Sequence, residues 1–382
     1  MYLARVQIIF IAVFSFLLPF RAVAQPDSTL ADSLLLQSLE EELASENTAI
    51  QSTGGAGRSL SISNPRISVI GDMQSWYDGQ GEKPWGASLN EVEFAFISAV
   101  DPYARAEFYF TMEHDPETGE NVAGIEEAFV QTLSLPAGLQ LKAGRLKIPF
   151  GRVNPIHSHT YPFIELPVPL GNYFGEGLTA DGFSVSWLVP QTLFYQDLEL
   201  CLTDAPQESP VFTSGPGGYL VSGHLKNFWD LSENTTLELG FSGATGPNDS
   251  LTQTLLTGAD LTLKWKPLQQ NNYKSLTWQS EFIRSRIPLI NQETVYALGA
   301  YSLLSWQFSK RWYVTGRYDY AQRPSGPQMT DQAVSLMLGW YATEFQKLEL
   351  EGKRVEEAGR NPRLNLRLRW VFVIGSHGAH QY

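Results

Sequence analysis

From Arg363 to Ile374 the chain reads RLNLRLRWVFVI. Leu364, Leu366, Leu368, Trp370, Phe372 and Ile374 share one face, while Arg363, Asn365, Arg367 and Arg369, then Val371 and Val373, share the other. A period of two marks an extended strand, whose side chains point alternately to opposite sides. A strand with lipid on one side and water on the other needs this division. Similar splits recur: Arg105, Glu107 and Tyr109 alternate with Ala106, Phe108 and Phe110, and Lys347, Glu349, Glu351 and Lys353 with Leu348, Leu350 and Gly352. Taken in order, such segments fall at 66–77, 88–100, 103–112, 121–134, 138–149, 177–188, 192–202, 218–229, 235–245, 252–265, 274–286, 293–307, 311–321, 331–342, 345–354 and 363–374. The pattern predicts an all-β protein, a 16-stranded antiparallel transmembrane β-barrel. An even strand number returns both ends to one side of the membrane, and closure leaves no unpaired edge in hydrocarbon. The segment at 293–307 is apolar on both faces, so its assignment rests on its neighbours.

Short connections such as Asp101-Pro102 and Ser309-Lys310 alternate with longer polar ones at 78–87, 113–120, 150–176, 203–217, 322–330 and 355–362. Short periplasmic turns and longer external loops alternate in this way in outer-membrane barrels. The N-terminus differs: Arg5 precedes the apolar run Ile8 to Phe20 and the small residues Ala22-Val23-Ala24, which predicts a cleaved signal peptide over 1–24. A membrane-spanning helix would need about 20 apolar residues, and no later stretch supplies them. Residues 25–60 hold the helix-prone DSLLLQSLEEELASEN, with Leu30, Leu34, Leu39 and Leu43 roughly on one side, and then the linker-like STGGAGRS. They predict a short periplasmic helical leader, either a coiled coil or a loosely ordered lead-in. The barrel is expected over 61–375, with the tail 376–382 periplasmic or tucked into the lumen. The location expected is the outer membrane of a Gram-negative bacterium, with its lipid as a partner.

The formal charge of −13 disfavours nucleic acid as a partner. The single cysteine, Cys201, permits no intrachain disulfide and reads as a strand residue. No nucleophile elbow, P-loop, HExxH, dinucleotide fingerprint or CxxC occurs, so neither catalysis nor a cofactor is expected. If the polar faces line a wet lumen, Lys142, Arg145, Lys147, Arg152, Glu107, Arg363, Arg367, Arg369, Glu349 and Glu351 are candidate pore-lining charges. The basic members would favour anions by simple electrostatics, unless Glu107, Glu126, Glu127, Glu349 and Glu351 cancel them. The alternation slips near Gly144-Arg145, at a candidate bulge.

The longest connection, 150–176, reads FGRVNPIHSHTYPFIELPVPLGNYFGE. Its prolines, Pro155 among them, forbid regular strand pairing. Its many apolar residues would serve no purpose in a solvated loop. The segment is therefore expected to fold into the barrel as a constriction carrying Pro155, His157, His159, Tyr161, Phe163 and Glu165; the other reading is a surface loop at subunit contacts. His157 and His159, and His377 and His380 in the tail, are weak candidate zinc ligands, because neither pair has a full four-ligand spacing. Packing and hydrogen-bonding roles are the stronger expectation for them. His114, Asp115 and Glu117 show one side of a calcium shell and read as a solvated hairpin.

The stretches AGRLKIPFGRVNP, HSHTYPF and GNYFGEGLTADGFSVSWLVP resemble the phosphate-selective porin-like branch of outer-membrane porins. NPRISVIGD and FVIGSHGAHQY, which open and close the barrel, resemble outer-membrane barrels of Bacteroidetes-type bacteria, some of which are called zinc-regulated TonB-dependent outer membrane receptors. The resemblance spans 65–382. It implies a 16-stranded, often trimeric porin with an inward loop, passing small hydrophilic solutes or ions by passive diffusion. Phosphate-selective members imply a ladder of basic residues, of which only Lys142, Arg145, Lys147 and Arg152 fall in the matching strand region. A TonB-dependent receptor implies roughly 22 strands and a plug, for which the chain is too short. The alternatives are a non-enzymatic receptor or structural barrel, linked to zinc uptake if the histidines bind metal, an outer-membrane enzyme such as a lipase or protease, for which no convergent nucleophile and base is identifiable, and a soluble secreted sandwich or lectin.

Overall fold

Two-residue alternation builds the strands β1 (Arg66–Asp78), β2 (Trp85–Asp101), β3 (Ala104–His114), β4 (Asn121–Thr132), β5 (Leu139–Lys147), β6 (Thr179–Leu188), β7 (Tyr195–Asp204) and β8 (Tyr219–Ser232). It continues through β9 (Thr235–Pro247), β10 (Gln253–Trp265), β11 (Ser275–Pro288), β12 (Thr294–Ser309), β13 (Trp312–Arg323), β14 (Gly326–Thr343), β15 (Gln346–Glu356) and β16 (Arg363–Gly375). Each strand pairs with its sequence neighbours, and β1 pairs antiparallel with β16, so the sheet is a closed barrel. The computed structural model describes residues 65–79, 84–114, 120–206, 209–213, 218–270, 273–290 and 293–375. The predicted signal, helical leader and tail, with His377 and His380, lie outside the described residues.

The outer surface is apolar where lipid would meet it. On β16, Leu364, Leu366, Leu368, Trp370 and Ile374 are exposed, while Asn365, Arg369 and Val371 between them are buried. Trp187, Trp265, Trp306, Trp312 and Trp340 are exposed near the short-turn ends of their strands, where amphipathic rings suit a membrane interface. β12 is apolar on its inner face as well, at Ala297, Tyr301 and Leu303, because the segment folded into the lumen packs against it.

Three local departures from regular pairing shape the interior. In β4, Tyr109 pairs with Glu127 and Phe110 with Ile125, so Glu126 is an extra residue in a bulge. The bulge turns two consecutive glutamates toward the lumen. The ladder between β4 and β5 then runs only from Ala128–Arg145 to Gln131–Lys142. Above it β5 ends at Lys147, short of its predicted end at residue 149, and the chain leaves the wall for the lumen. The third departure lengthens a hairpin: β13 reaches Arg323 and β14 starts at Gly326, where a loop over 322–330 was expected.

Arg145 does not line the lumen. It pairs with Ala128 and Asp181 on the outer face, in step with Leu141 and Phe183, and its Nη1 lies 3.5 Å from Asp181 Oδ1. The extra residue sits at Glu126, not beside Gly144, so simple parity keeps Arg145 opposite Lys142. A charge placed in the lipid-facing row should be costly. We expect Leu366→Arg to lower the unfolding free energy in urea by about 2–4 kcal/mol, and Lys142→Gln, on the wet face, to change it by less than half as much.

Candidate functional site

The segment from Ile148 to Leu178 enters and leaves the lumen through one neck. Ile148 N–H donates to Leu178 O at 2.8 Å. The Asn154 side chain ties both sides: Nδ2 donates to Ile148 O (2.7 Å) and Leu178 O (3.1 Å), and Oδ1 accepts from Leu178 N–H (2.7 Å). Gly151 has φ +65°, and a Cβ there would lie 2.3 Å from Glu281 Oε2, so both conformation and space require glycine. Pro149 and Pro155 bar strand pairing near the neck. Beyond it come a single 3-10 turn at Ser158–Thr160 and the short helix α1 (Val168–Phe174).

With no strand partner, the backbone of this segment bonds to charged side chains of the wall. Arg152 and Val153 N–H groups donate to Glu281 Oε1 at 3.1 and 2.9 Å, and Gly151 N–H donates to Ser242 Oγ at 2.9 Å. Ile164 and Glu165 N–H groups donate to Glu351 Oε2 at 2.7 and 3.2 Å. Val168 N–H donates to Asp319 Oδ2 at 3.2 Å. Carbonyls are met by cations: Arg369 donates to Ser158 O and Phe163 O, Arg317 to Glu165 O, and Lys353 to Leu166 O. Asn172 and Tyr173 of α1 reach Asp331 and Gln322 O. The segment is thereby fastened to β9, β11 and β13 to β16. Ile148, Phe150, Phe163, Leu170, Tyr173 and Phe174 form one apolar cluster with Leu256, Ile283, Tyr301 and Leu303 of the wall, which Val211 and Phe212 of the β7–β8 connection join.

On the opposite side, His157 sits among three carboxylates. Its Nδ1 lies 2.9 Å from Glu126 Oε2 and 3.4 Å from Glu93 Oε2, and its Nε2 lies 3.2 Å from Glu127 Oε2. Only the β4 bulge lets both Glu126 and Glu127 reach one imidazole. Lys147 Nζ contacts Glu126 Oε1 at 2.6 Å and donates to Ile156 O, and Lys147 N–H donates to Glu127 Oε1. These side-chain bonds fill the gap where β4 lacks a strand partner. Burial opposes charge on His157, but the hydrogen bonds with Glu126, Glu127 and Glu93 outweigh it and hold its pKa well above the usual histidine value. His159 Nδ1 lies 3.2 Å from Glu93 Oε2, yet burial prevails there and its pKa is lowered.

The predicted lumen charges divide by role. Arg369 is 2% exposed, between Asp72 (2.9 Å) and Glu349 (3.8 Å), and Glu349 and Glu351 are as deeply buried; all three face neighbouring protein, where solute-facing charges were expected. Glu107 accepts from Tyr109 OH and pairs with Arg105. Lys142, Arg152 and Arg367 are partly exposed, near Glu199, Glu238 and Glu165 respectively, and Arg363 near Glu357. Of the constriction residues, His157, His159, Tyr161 and Phe163 are buried within the segment, Glu165 is clamped by Lys353 and Arg367, and Pro155 is exposed at its edge. Sequence reasoning missed Glu93 and Asn154, and it gave Lys353, on the polar face of its strand, no part in holding the segment. The alternation Glu91-Val92-Glu93 was the available signal for the first of these.

Two outcomes follow from the anchoring. Arg369→Met leaves Asp72 without its cation and Glu349 with Lys347 alone, and should lower stability by about 3–5 kcal/mol in urea unfolding. Burial of Glu165 opposes its charge, but Lys353 and Arg367 hold its pKa down at about 2. A depressed carboxylate pKa stabilises above its unfolded value, and that contribution is lost as pH falls from about 4.5 through about 2. Thermal unfolding of Glu165→Gln should therefore depend less on pH across this window than that of the wild type; matching profiles would contradict the assignment.

No family model matches the chain. A protein of Aquifex aeolicus described as uncharacterized is 27% identical over 351 residues, which cover 80% of this chain and 72% of that protein. Among solved structures, the anion-selective porin of Comamonas acidovorans superposes with a TM-score of 0.56 at 10% identity, covering 81% of this chain and 99% of that one. The outer membrane channel DcaP of Acinetobacter baumannii gives 0.56 at 8% identity, covering 82% and 99%. OmpT of Vibrio cholerae in its trimer form gives 0.55 at 6% identity, covering 81% and 100%. The likeness is one of fold, and it extends over nearly the whole of each of those chains. Sixteen strands do not match the roughly 22 of a TonB-dependent receptor. The chain is a closed, antiparallel 16-stranded β-barrel with a porin-like fold.

Proposed function

We propose that the protein is a passive, non-catalytic diffusion channel for small hydrophilic solutes or ions, with its aperture set by the segment 148–178. The observation that carries this reading is the fastening of that segment across the lumen by side chains of β9, β11 and β13 to β16. A loop so held narrows a pore without swinging free of it. The Comamonas and Acinetobacter proteins, described as a porin and a channel, support the same reading. Marked anion preference has little support. Lys147, Arg152, Arg363 and Arg367 each contact a carboxylate, and the chain as a whole is acidic. A homotrimer, the form recorded for one OmpT structure, would shield the outward Arg145–Asp181 pair from lipid.

The second reading is a sealed receptor or scaffold, favoured by how completely Glu349, Glu351 and Arg369 are covered. Planar-bilayer recording separates the two. The channel reading expects small discrete conductance steps and a reversal potential near zero, or on the cation side, in a potassium chloride gradient. Glu351→Gln, which weakens the hold on Ile164 and Glu165, should enlarge the steps. A folded, inserted barrel that passes no current would overturn the channel, and a strongly anion-selective one would overturn the charge argument.

A further inference from the structure

The carboxylates and imidazoles between the inward segment and β2 and β4 make an arrangement that the channel does not require. Glu93 is 1% exposed, and its Oε1 accepts no hydrogen bond. Its Oε2 lies 3.2 Å from His159 Nδ1 and 3.4 Å from His157 Nδ1, while Glu126 Oε2 lies 2.9 Å from the same His157 nitrogen. One ligand atom from each of Glu93, Glu126 and His157 falls within 4.8 Å of the others. Tetrahedral bonds of about 2.0–2.1 Å to zinc place neighbouring ligand atoms about 3.3 Å apart, close to the 2.9 and 3.4 Å that separate His157 Nδ1 from Glu126 and Glu93. We propose that Glu93, Glu126 and His157 bind zinc, with His159 holding Glu93 from behind, and that this site clamps the inward segment to the barrel wall.

The surrounding groups fit this assignment. An imidazole nitrogen beside two carboxylate oxygens suits Zn²⁺, whereas Ca²⁺ and Mg²⁺ prefer all-oxygen shells. Glu127 Oε2, 3.2 Å from His157 Nε2, would accept the proton of the ring nitrogen that does not bind metal, which fixes the tautomer. Lys147 engages Glu126 through Oε1 and leaves Oε2 turned to the imidazole. The rings of His157 and His159 are near-parallel with centroids 5.8 Å apart, so both can present nitrogens to one carboxylate. Because the ligands come from the segment, β2 and β4, zinc would cross-link three elements that meet where the β4–β5 ladder ends. The site stands whether or not the lumen conducts.

The test uses the full chain, folded in detergent, stripped with a chelator and titrated with zinc chloride by calorimetry, with bound metal counted by elemental analysis. One zinc per chain is expected, together with a rise in unfolding temperature that the chelator reverses. His159→Ala and Glu127→Gln should each weaken binding by about 10–100-fold. The double variant His377→Ala/His380→Ala separates the tail, and it should bind as the wild type does. Heat-modifiable gel migration establishes that each variant is folded. If a variant fails to fold, X-ray absorption at the zinc edge of the wild type should show a shell of nitrogen and oxygen only, with an imidazole contribution. Failure of the folded wild type to retain zinc would overturn the site, since protons alone would then occupy the cluster. Loss of binding in the tail variant, with none in His159→Ala, would overturn it equally.

Discussion

A charge pointing into a closed barrel must find either water or a partner. Here the lumen is crossed by a segment whose prolines deny it strand pairing, so its backbone groups also lack partners. Each need answers the other. Glu281, Glu351 and Asp319 accept N–H groups of the segment, and Arg317, Lys353 and Arg369 donate to its carbonyls. Each of these buried charges has at least one hydrogen-bond partner in the segment, which offsets part of the cost of keeping it out of water, although Glu281 Oε2, Glu351 Oε1 and Arg317 Nη2 accept or donate none. The position of the segment is thereby set by the wall.

Apolar contacts complete what the polar ones locate. Phe150, Phe163, Tyr173 and Phe174 fill the space between the charged anchors, and they meet an inner wall made apolar on purpose-matched strands: Leu256 on β10, Ile283 on β11, Tyr301 and Leu303 on β12. The Arg317 guanidinium lies 4.8 Å from the centre of the Phe163 ring, joining the two kinds of contact at one point. Val211 and Phe212 bring a second connection into the same cluster. Where the segment meets the wall, the contact is packed as a domain core is.

The barrel was legible because lipid imposes one rule on every strand, and period two survives in a single sequence. All sixteen strands appear near their predicted places, and the proline-rich connection enters the lumen as its apolar residues implied. Which charges face solute was not legible. Arg369 alternates like Arg367, yet one is buried between carboxylates and the other is partly exposed. The difference arises from where the inward segment lies, which is a long-range fact that no local pattern carries. The bulge at Glu126 was equally hidden, since Glu126-Glu127 reads as an ordinary pair until β3 is set beside it. The sequence reading placed the irregularity at Gly144-Arg145, one strand away, and so assigned Arg145 to the wrong face.

The hold of Arg369 on the segment also bears on assembly. This arginine belongs to the last strand, and it reaches Asp72 of the first strand and the carbonyls of Ser158 and Phe163, which lie more than 200 positions earlier. Contacts between such distant positions form late, because the chain between them must first be brought together. The seam between β1 and β16 and the seating of the segment share this one side chain. A barrel that closed with the segment outside would trap an ionised guanidinium with only part of its shell. Closure of the wall and seating of the segment are therefore coupled through one guanidinium.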